Sequence, residues 1–185
     1  MKKFLIFLNL AIFILGIVYL LLPSPHYPDL TNSTRSDEEG DTWQHPDQKG
    51  FYTNTDRKNA LAELQSKFTL KIGQFTLPSY RLNYRPEDTA QLVREQIQSS
   101  YLEEIIYPFR ESLFVNGFEP MNYPPYSNLD DMNKPKLYFK NIPYYSKVTL
   151  RPVNSAVWAR IFVWLLVFPS VYLTLFSLKR SLKND

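Results

Sequence analysis

The chain has 185 residues, no cysteine and a formal charge of +3. The lack of cysteine excludes disulfides, thiolate metal sites and cysteine nucleophiles, and so small a net charge is weak evidence for a polyanionic partner. Two apolar stretches with their flanks occupy about a third of the chain, leaving roughly 130 residues between them, enough for one small domain.

The first apolar run extends from Phe4 to about Leu22, after Lys2 and Lys3. Its length is close to the ~20 residues that cross a hydrocarbon core. A cleavable signal peptide has a shorter apolar core, of about 7–15 residues, and ends at a small-x-small site. Here the run continues into "LPSPHYPDL", with no such site. An uncleaved anchor is therefore expected. Within it, Gly16 and Ala11 would allow close helix approach.

Residues 23–50, "PSPHYPDLTNSTRSDEEGDTWQHPDQKG", are rich in proline, hydroxyl and acidic residues. Such a stretch buries too little apolar surface to offset its ordering entropy, so it reads as a flexible linker. At that length its end-to-end distance would be about 30 Å. Asn32-Ser33-Thr34 forms a glycosylation triplet, relevant only in a eukaryotic secretory pathway. Asp37, Glu38, Glu39 and Asp41 lack the spaced ladder of a calcium loop and read as solvated acids. His26 and His45 both fall in this linker, which rules out a histidine-centred site in the folded part.

From Phe51 the pattern is that of a folded domain. Ala60, Leu61, Leu64 and Phe68 share one helical face after possible caps at Asn54, Thr55 and Asp56, predicting a helix over about 55–67. Tyr80, Leu82 and Tyr84 alternate with polar residues, predicting a half-buried strand. A second helix is expected from Pro86, with Ala90, Val93 and Ile97 inward. "YLEEIIYPFRESLFVNGFEP", "KLYFKNI" and "YYSKVTLRPV" read as strands, with Asn116-Gly117 as a turn. The expected fold is α+β: a small mixed or antiparallel sheet with two helices on one face, flanked by transmembrane helices.

The second apolar run, from about Val157 to Leu178, is followed by Lys179, Arg180 and Lys183. Basic residues beside both spans favour cytoplasmic termini, with residues 23–156 outside. Arg160 is expected to snorkel to the headgroups beside Trp158 and Trp164. Asn9 and Thr174 lie at comparable depth and are a candidate contact between spans, worth about 1 kcal/mol or less. Asn9 could equally pair with another copy, and Pro169 would bend the second span. The segments are thus 1–22 anchor, 23–50 linker, 51–153 domain, and 154–185 second span with a basic tail. The short "VNSAV" junction would hold the domain close to the membrane on its C-terminal side and the linker loosely on the other.

"HYPDL", "SDEEGDT", "FYTNTDRKNALAELQSKF", "YLEEIIYPFRESLFVNGFEP" and "KVTLRPVNSAVWAR" together resemble an uncharacterised family of small two-span envelope proteins of candidate-phyla-radiation bacteria. The resemblance covers most of the chain. It implies a two-span topology and a bacterial envelope setting, and it carries over no functional residues.

Chemistry finds little foothold. Glu103 and Glu104 are adjacent in a strand and point to opposite faces, so they do not make a paired-carboxylate site. Asp130 and Asp131 read as turn acids, and Arg110–Glu111 as a sheet-surface pair. Phosphate-loop, zinc-protease, nucleophile-elbow and CxxC patterns are absent, so no catalytic residue, cofactor or metal is assigned. Arg81 and Arg85 are too few for a nucleic-acid stripe. "EPMNYPPYSNL" concentrates residue types enriched at interfaces, making Tyr123 and Tyr126, with Met132 just beyond the stretch, candidate partner contacts, with packing over a sheet edge or the headgroups as the alternative. Three functions fit: an accessory or scaffold subunit at the membrane, with lipid and a membrane-protein partner or self-association; an extracytoplasmic small-ligand or peptide-binding module; and a membrane-bound enzyme with an unrecognised site.

Overall fold

A computed structural model describes residues 2–85, 99–122, 128–130, 133 and 135–184. The chain divides into two compact units, Ser24–Val153 and the pair of terminal segments Met1–Pro23 with Asn154–Asp185. The helix expected from Pro86 lies outside the described residues.

The central unit contains a six-stranded antiparallel sheet. Its strands are β1 (Ser33–Arg35), β2 (Lys49–Thr53), β5 (Tyr80–Tyr84), β6 (Tyr101–Ile106), β7 (Ser112–Phe118) and β10 (Ser146–Val153), in the order β1-β2-β10-β7-β6-β5. Two hairpins, β3 (Leu70–Ile72) with β4 (Phe75–Leu77) and β8 (Leu137–Phe139) with β9 (Ile142–Tyr144), stand outside it. Register aligns Phe51, Val148, Leu150, Val115, Leu113 and Ile105 on one buried face.

The helix α2 (Arg57–Lys67) starts where the sequence indicates. Asp56 is its N-cap, accepting the Asn59 N–H at 2.9 Å, and Ala60, Leu61 and Leu64 are its buried stripe. It joins the buried face through Arg57 on Glu103 and Phe68 on Tyr107, the two rings 5.6 Å apart. On the opposite face Tyr52 stacks on Phe139, at 4.5 Å and 8°.

Four expectations are corrected. Residues 23–50 are not a loose linker: they supply β1, start β2, and bury Leu30, Ser36 and Asp41. Their acids are held by lysines from elsewhere in the fold. Lys147 reaches Glu38 at 2.5 Å and Asp41 at 2.7 Å, and Lys140 reaches Asp37 at 2.5 Å. Composition alone misses this, because those lysines lie about a hundred residues downstream.

Asn116-Gly117 is not a turn but sits inside β7, paired with Tyr101 and Thr149. Gly117 is required by close approach: a Cβ there would fall 1.9 Å from Cζ of the Tyr101 ring. The actual reversal is at residues 107–111, where Arg110 N–H donates to the Tyr107 carbonyl and Phe109 takes a φ of 60° after Pro108.

β5 is an edge strand rather than a half-buried one, with Tyr80 and Leu82 57% and 42% exposed. Finally, Arg110 and Glu111 form a buried ion pair at 3.0 Å and not a surface one.

The terminal unit pairs α1 (Lys2–Leu21) with α3 (Val157–Asn184). Val157–Ser177 is long and apolar enough to cross a membrane, while the apolar stretch of α1, Ile6–Leu21, is shorter. Gly16 lies directly beneath Trp164, where a Cβ would fall 2.2 Å from Cζ2, and Trp164 Nε1 donates to the Phe13 carbonyl at 3.3 Å. Arg160 reaches back to Ser155, just before α3, and across to the last turn of α1. It is 5% exposed and donates to the Ser155 carbonyl at 2.6 Å and the Leu20 carbonyl at 3.5 Å. Carbonyls in the last turn of a helix lack partners within it, and a cation satisfies one here.

Two outcomes test this packing by denaturant unfolding in detergent. Gly117→Ala should cost about 1–3 kcal/mol by overpacking, while Gly40→Ala, with nothing within 4 Å of its added carbon, should be near neutral. The second concerns Asp41. Burial works to raise its carboxyl, but Lys147, Ser36 and Gln48 outweigh that and hold it below the ordinary 3.8. Its contribution should be complete above pH 3.8 and disappear as pH falls through the depressed folded value. Asp41→Asn should therefore destabilise by about 1–3 kcal/mol at neutral pH, with the gap to the native chain closing in acid.

Candidate functional site

A polar concavity of the central unit, about 600 Å³, opens at the start of α2 and is lined by Arg57, Arg81, Tyr101, Glu103, Glu119, Asn122 and Tyr145 among others. Its parts come from four elements. Arg57 is the first residue of α2, Arg81 comes from β5, Tyr101 and Glu103 from β6, and Glu119 follows β7.

Glu103, with a side chain only 2% exposed, is gripped from two sides. Arg57 Nε donates to Oε1 at 2.8 Å, its Nη2 contacts the same oxygen, and Arg81 Nε lies 3.0 Å from Oε2. The register places Arg81 and Asn83 on β5 opposite this part of β6, and Asn83 Oδ1 accepts from the same Arg57 Nη2 at 3.1 Å. Burial of the carboxylate is thus compensated by paired charge, as it must be in a region of low dielectric.

Glu119 has a different task. Its Oε1 accepts the Arg57 backbone N–H at 2.9 Å and its Oε2 accepts from Asn122 at 2.7 Å. With Asp56 it satisfies two of the amides that the first turn of α2 leaves open, at the positive end of the helix dipole.

Tyr101 lies under these charges, with the Arg57 guanidinium 5.0 Å from its ring centroid. Its hydroxyl is buried without a hydrogen-bond partner. Burial first, and then the charge of Glu119, push the phenol well above its ordinary value.

This arrangement holds structure together more readily than it transfers protons. A nucleophile needs a base within hydrogen-bond reach, and a general acid needs a carboxyl set apart from its neighbours. Here Glu103 has arginine on both oxygens and Glu119 has donors on both. Glu104 faces the other side, accepting from Tyr84 at 2.6 Å and from Ser112, so the two adjacent acids do not converge. Among the described residues no three histidine, cysteine or acidic side chains gather as a metal site.

The described residues singled out by sequence as candidate contacts do not gather at this cleft. Tyr123, Tyr126, Met132 and Asp131 lie outside the described residues, and Asp130 is exposed. Asn9 is half-buried in α1, and the Thr174 hydroxyl donates to the Ser170 carbonyl of its own helix at 2.8 Å. His26 belongs to the folded unit after all, lining a 260 Å³ hollow with Leu150 and Pro152. The Arg57–Glu103–Arg81 cluster was not anticipated. Its one sequence signal is a pair of adjacent acids in the middle of an otherwise apolar strand, one of which must face inward, which implies a cationic partner without naming it.

The two buried tyrosines of this face provide a contrast. Tyr107 hydroxyl donates to the Phe68 carbonyl at 3.0 Å and accepts the Leu70 N–H at 2.8 Å. Tyr107→Phe should cost about 1–2 kcal/mol and Tyr101→Phe should be neutral or stabilising, because only the first strands a buried amide. Denaturant unfolding of the two variants checks this, and an equal loss in both would reveal a partner for the Tyr101 hydroxyl.

Set beside known protein families, curated proteins and solved structures, the chain matches none.

Proposed function

We propose that the chain is a two-pass membrane protein whose helices α1 and α3 both span the bilayer, with cytoplasmic termini and residues 23–156 outside. Its folded unit acts there as an accessory or scaffold subunit, presenting a fixed surface to a membrane-protein partner or to a second copy.

The observation that carries this reading is the shortness of both tethers. Only Leu22 and Pro23 separate α1 from the folded unit, and only Asn154, Ser155 and Ala156 separate β10 from α3. Each residue of extended chain reaches at most about 3.5 Å, so neither tether gives much slack. The N-terminal segment that might have supplied slack is spent on the sheet. Such restraint brings little to an enzyme meeting diffusible substrates, and much to a subunit that must keep one face towards a neighbour. Lys2, Lys3, Lys179, Arg180 and Lys183 support cytoplasmic termini. The engaged carboxylates of the cleft weigh against a catalytic role.

Two measurements test it. The native chain has no cysteine, so single-cysteine variants report topology without background. Lys58→Cys and Asp130→Cys should react with an impermeant maleimide in intact cells, and Lys179→Cys only after permeabilisation. Reaction of all three in intact cells would reject the topology. In-cell crosslinking of the full chain with mass spectrometry should capture a defined membrane protein or a second copy. That product should be lost when Tyr123, Tyr126 and Met132 are all changed to serine. No specific product from either form would reject the scaffold.

A further inference from the structure

Both ends of the folded unit leave from one end of the sheet. Val153 closes β10 opposite Ser112, and Ser112 is also opposite Ile106, so the end of β10 lies beside the 107–111 reversal. Ser24, the first residue of the unit, donates from its hydroxyl to Glu111 at 2.5 Å, in the same reversal. The β3–β4 hairpin is fastened there too, through the Leu70 N–H on the Tyr107 hydroxyl.

That end bears large apolar side chains in solvent. Phe75 is 79% exposed and pairs across the hairpin with Ile72, while Phe109 is 52% exposed beside Pro108. Phe109 takes a left-handed backbone conformation that a phenylalanine seldom adopts. Lys71 stands exposed between Leu70 and Ile72. An apolar, aromatic surface with a basic residue fits the boundary between headgroups and acyl chains. The opposite end, at Asp56, Arg57, Glu119 and Asn122, is charged and polar.

We infer that Phe75, Ile72 and Phe109 form a lipid-docking face that rests in the outer interfacial layer of the bilayer. The occupant is lipid because the chain leaves from this end by tethers of two and three residues, which leave a second protein little room to intervene. This inference rests on the reading of α1 and α3 as spans and deepens it by naming the surface that lipid covers.

The test uses the full chain in phosphatidylcholine vesicles, with an environment-sensitive fluorophore on one introduced cysteine at a time. Phe75→Cys and Phe109→Cys report the face, Lys58→Cys the opposite end, and Phe162→Cys the first third of α3. Brominated lipid should quench the probes at 75, 109 and 162, with blue-shifted emission, and aqueous iodide should quench only the probe at 58. If 162 is quenched by lipid while 75 and 109 respond to iodide alone, the docking face is overturned and the spans stand. If 162 too responds only to iodide, the span reading and the docking face fall together.

Discussion

Strand β10 sits between β2 and β7, and the rest of the central unit depends on that placement. A strand near the C-terminal end of the folded unit pairs on one side with a segment about a hundred residues earlier and on the other with the sheet's middle. Until it is in place, β1 and β2 have no connection to the remainder of the sheet. Such non-local pairing makes assembly slow relative to local helix formation. It also makes the sheet indivisible: Val148 and Leu150 join the buried face while Lys147, on the other side, gathers the acids of the N-terminal segment.

That strand also determines how the unit is attached. Because β10 ends beside the 107–111 reversal and Ser24 is fixed to Glu111 in the same reversal, both chain exits share one end of the sheet. An arrangement with exits at opposite ends would need a long connection for at least one of them. Here the N-terminal segment is absorbed into the sheet and the connections reduce to two and three residues. The shortness of these connections is the physical basis of the proposed scaffold role.

The charged cleft at the start of α2 illustrates how a buried acid can be structural. Glu103 occupies a core position of β6, and its cost is offset by two arginines from different elements, one of them also stacked over Tyr101. Glu119 and Asp56 complete the first turn of α2. The same side chains that make the cleft polar therefore lock helix to sheet.

The sequence by itself determined the local features. The α2 helix and the strand at 80–84 follow from period, the strand near 145–152 from β-branched and aromatic content, and the apolar α3 from length, while the cap of α2 was left among Asn54, Thr55 and Asp56. What it left open depended on partners distant in the chain. Residues 23–50 look too polar to fold because Lys140 and Lys147, which compensate their acids, are far downstream. Asn116-Gly117 looks like a turn because the glycine's real reason, the ring of Tyr101 across the sheet, is invisible to local reading. Arg110 and Glu111 look like a surface pair because adjacency carries no information about burial. Tertiary structure decided these points, since close approach, charge compensation and burial are properties of pairs brought together by the sheet and not of neighbours along the chain.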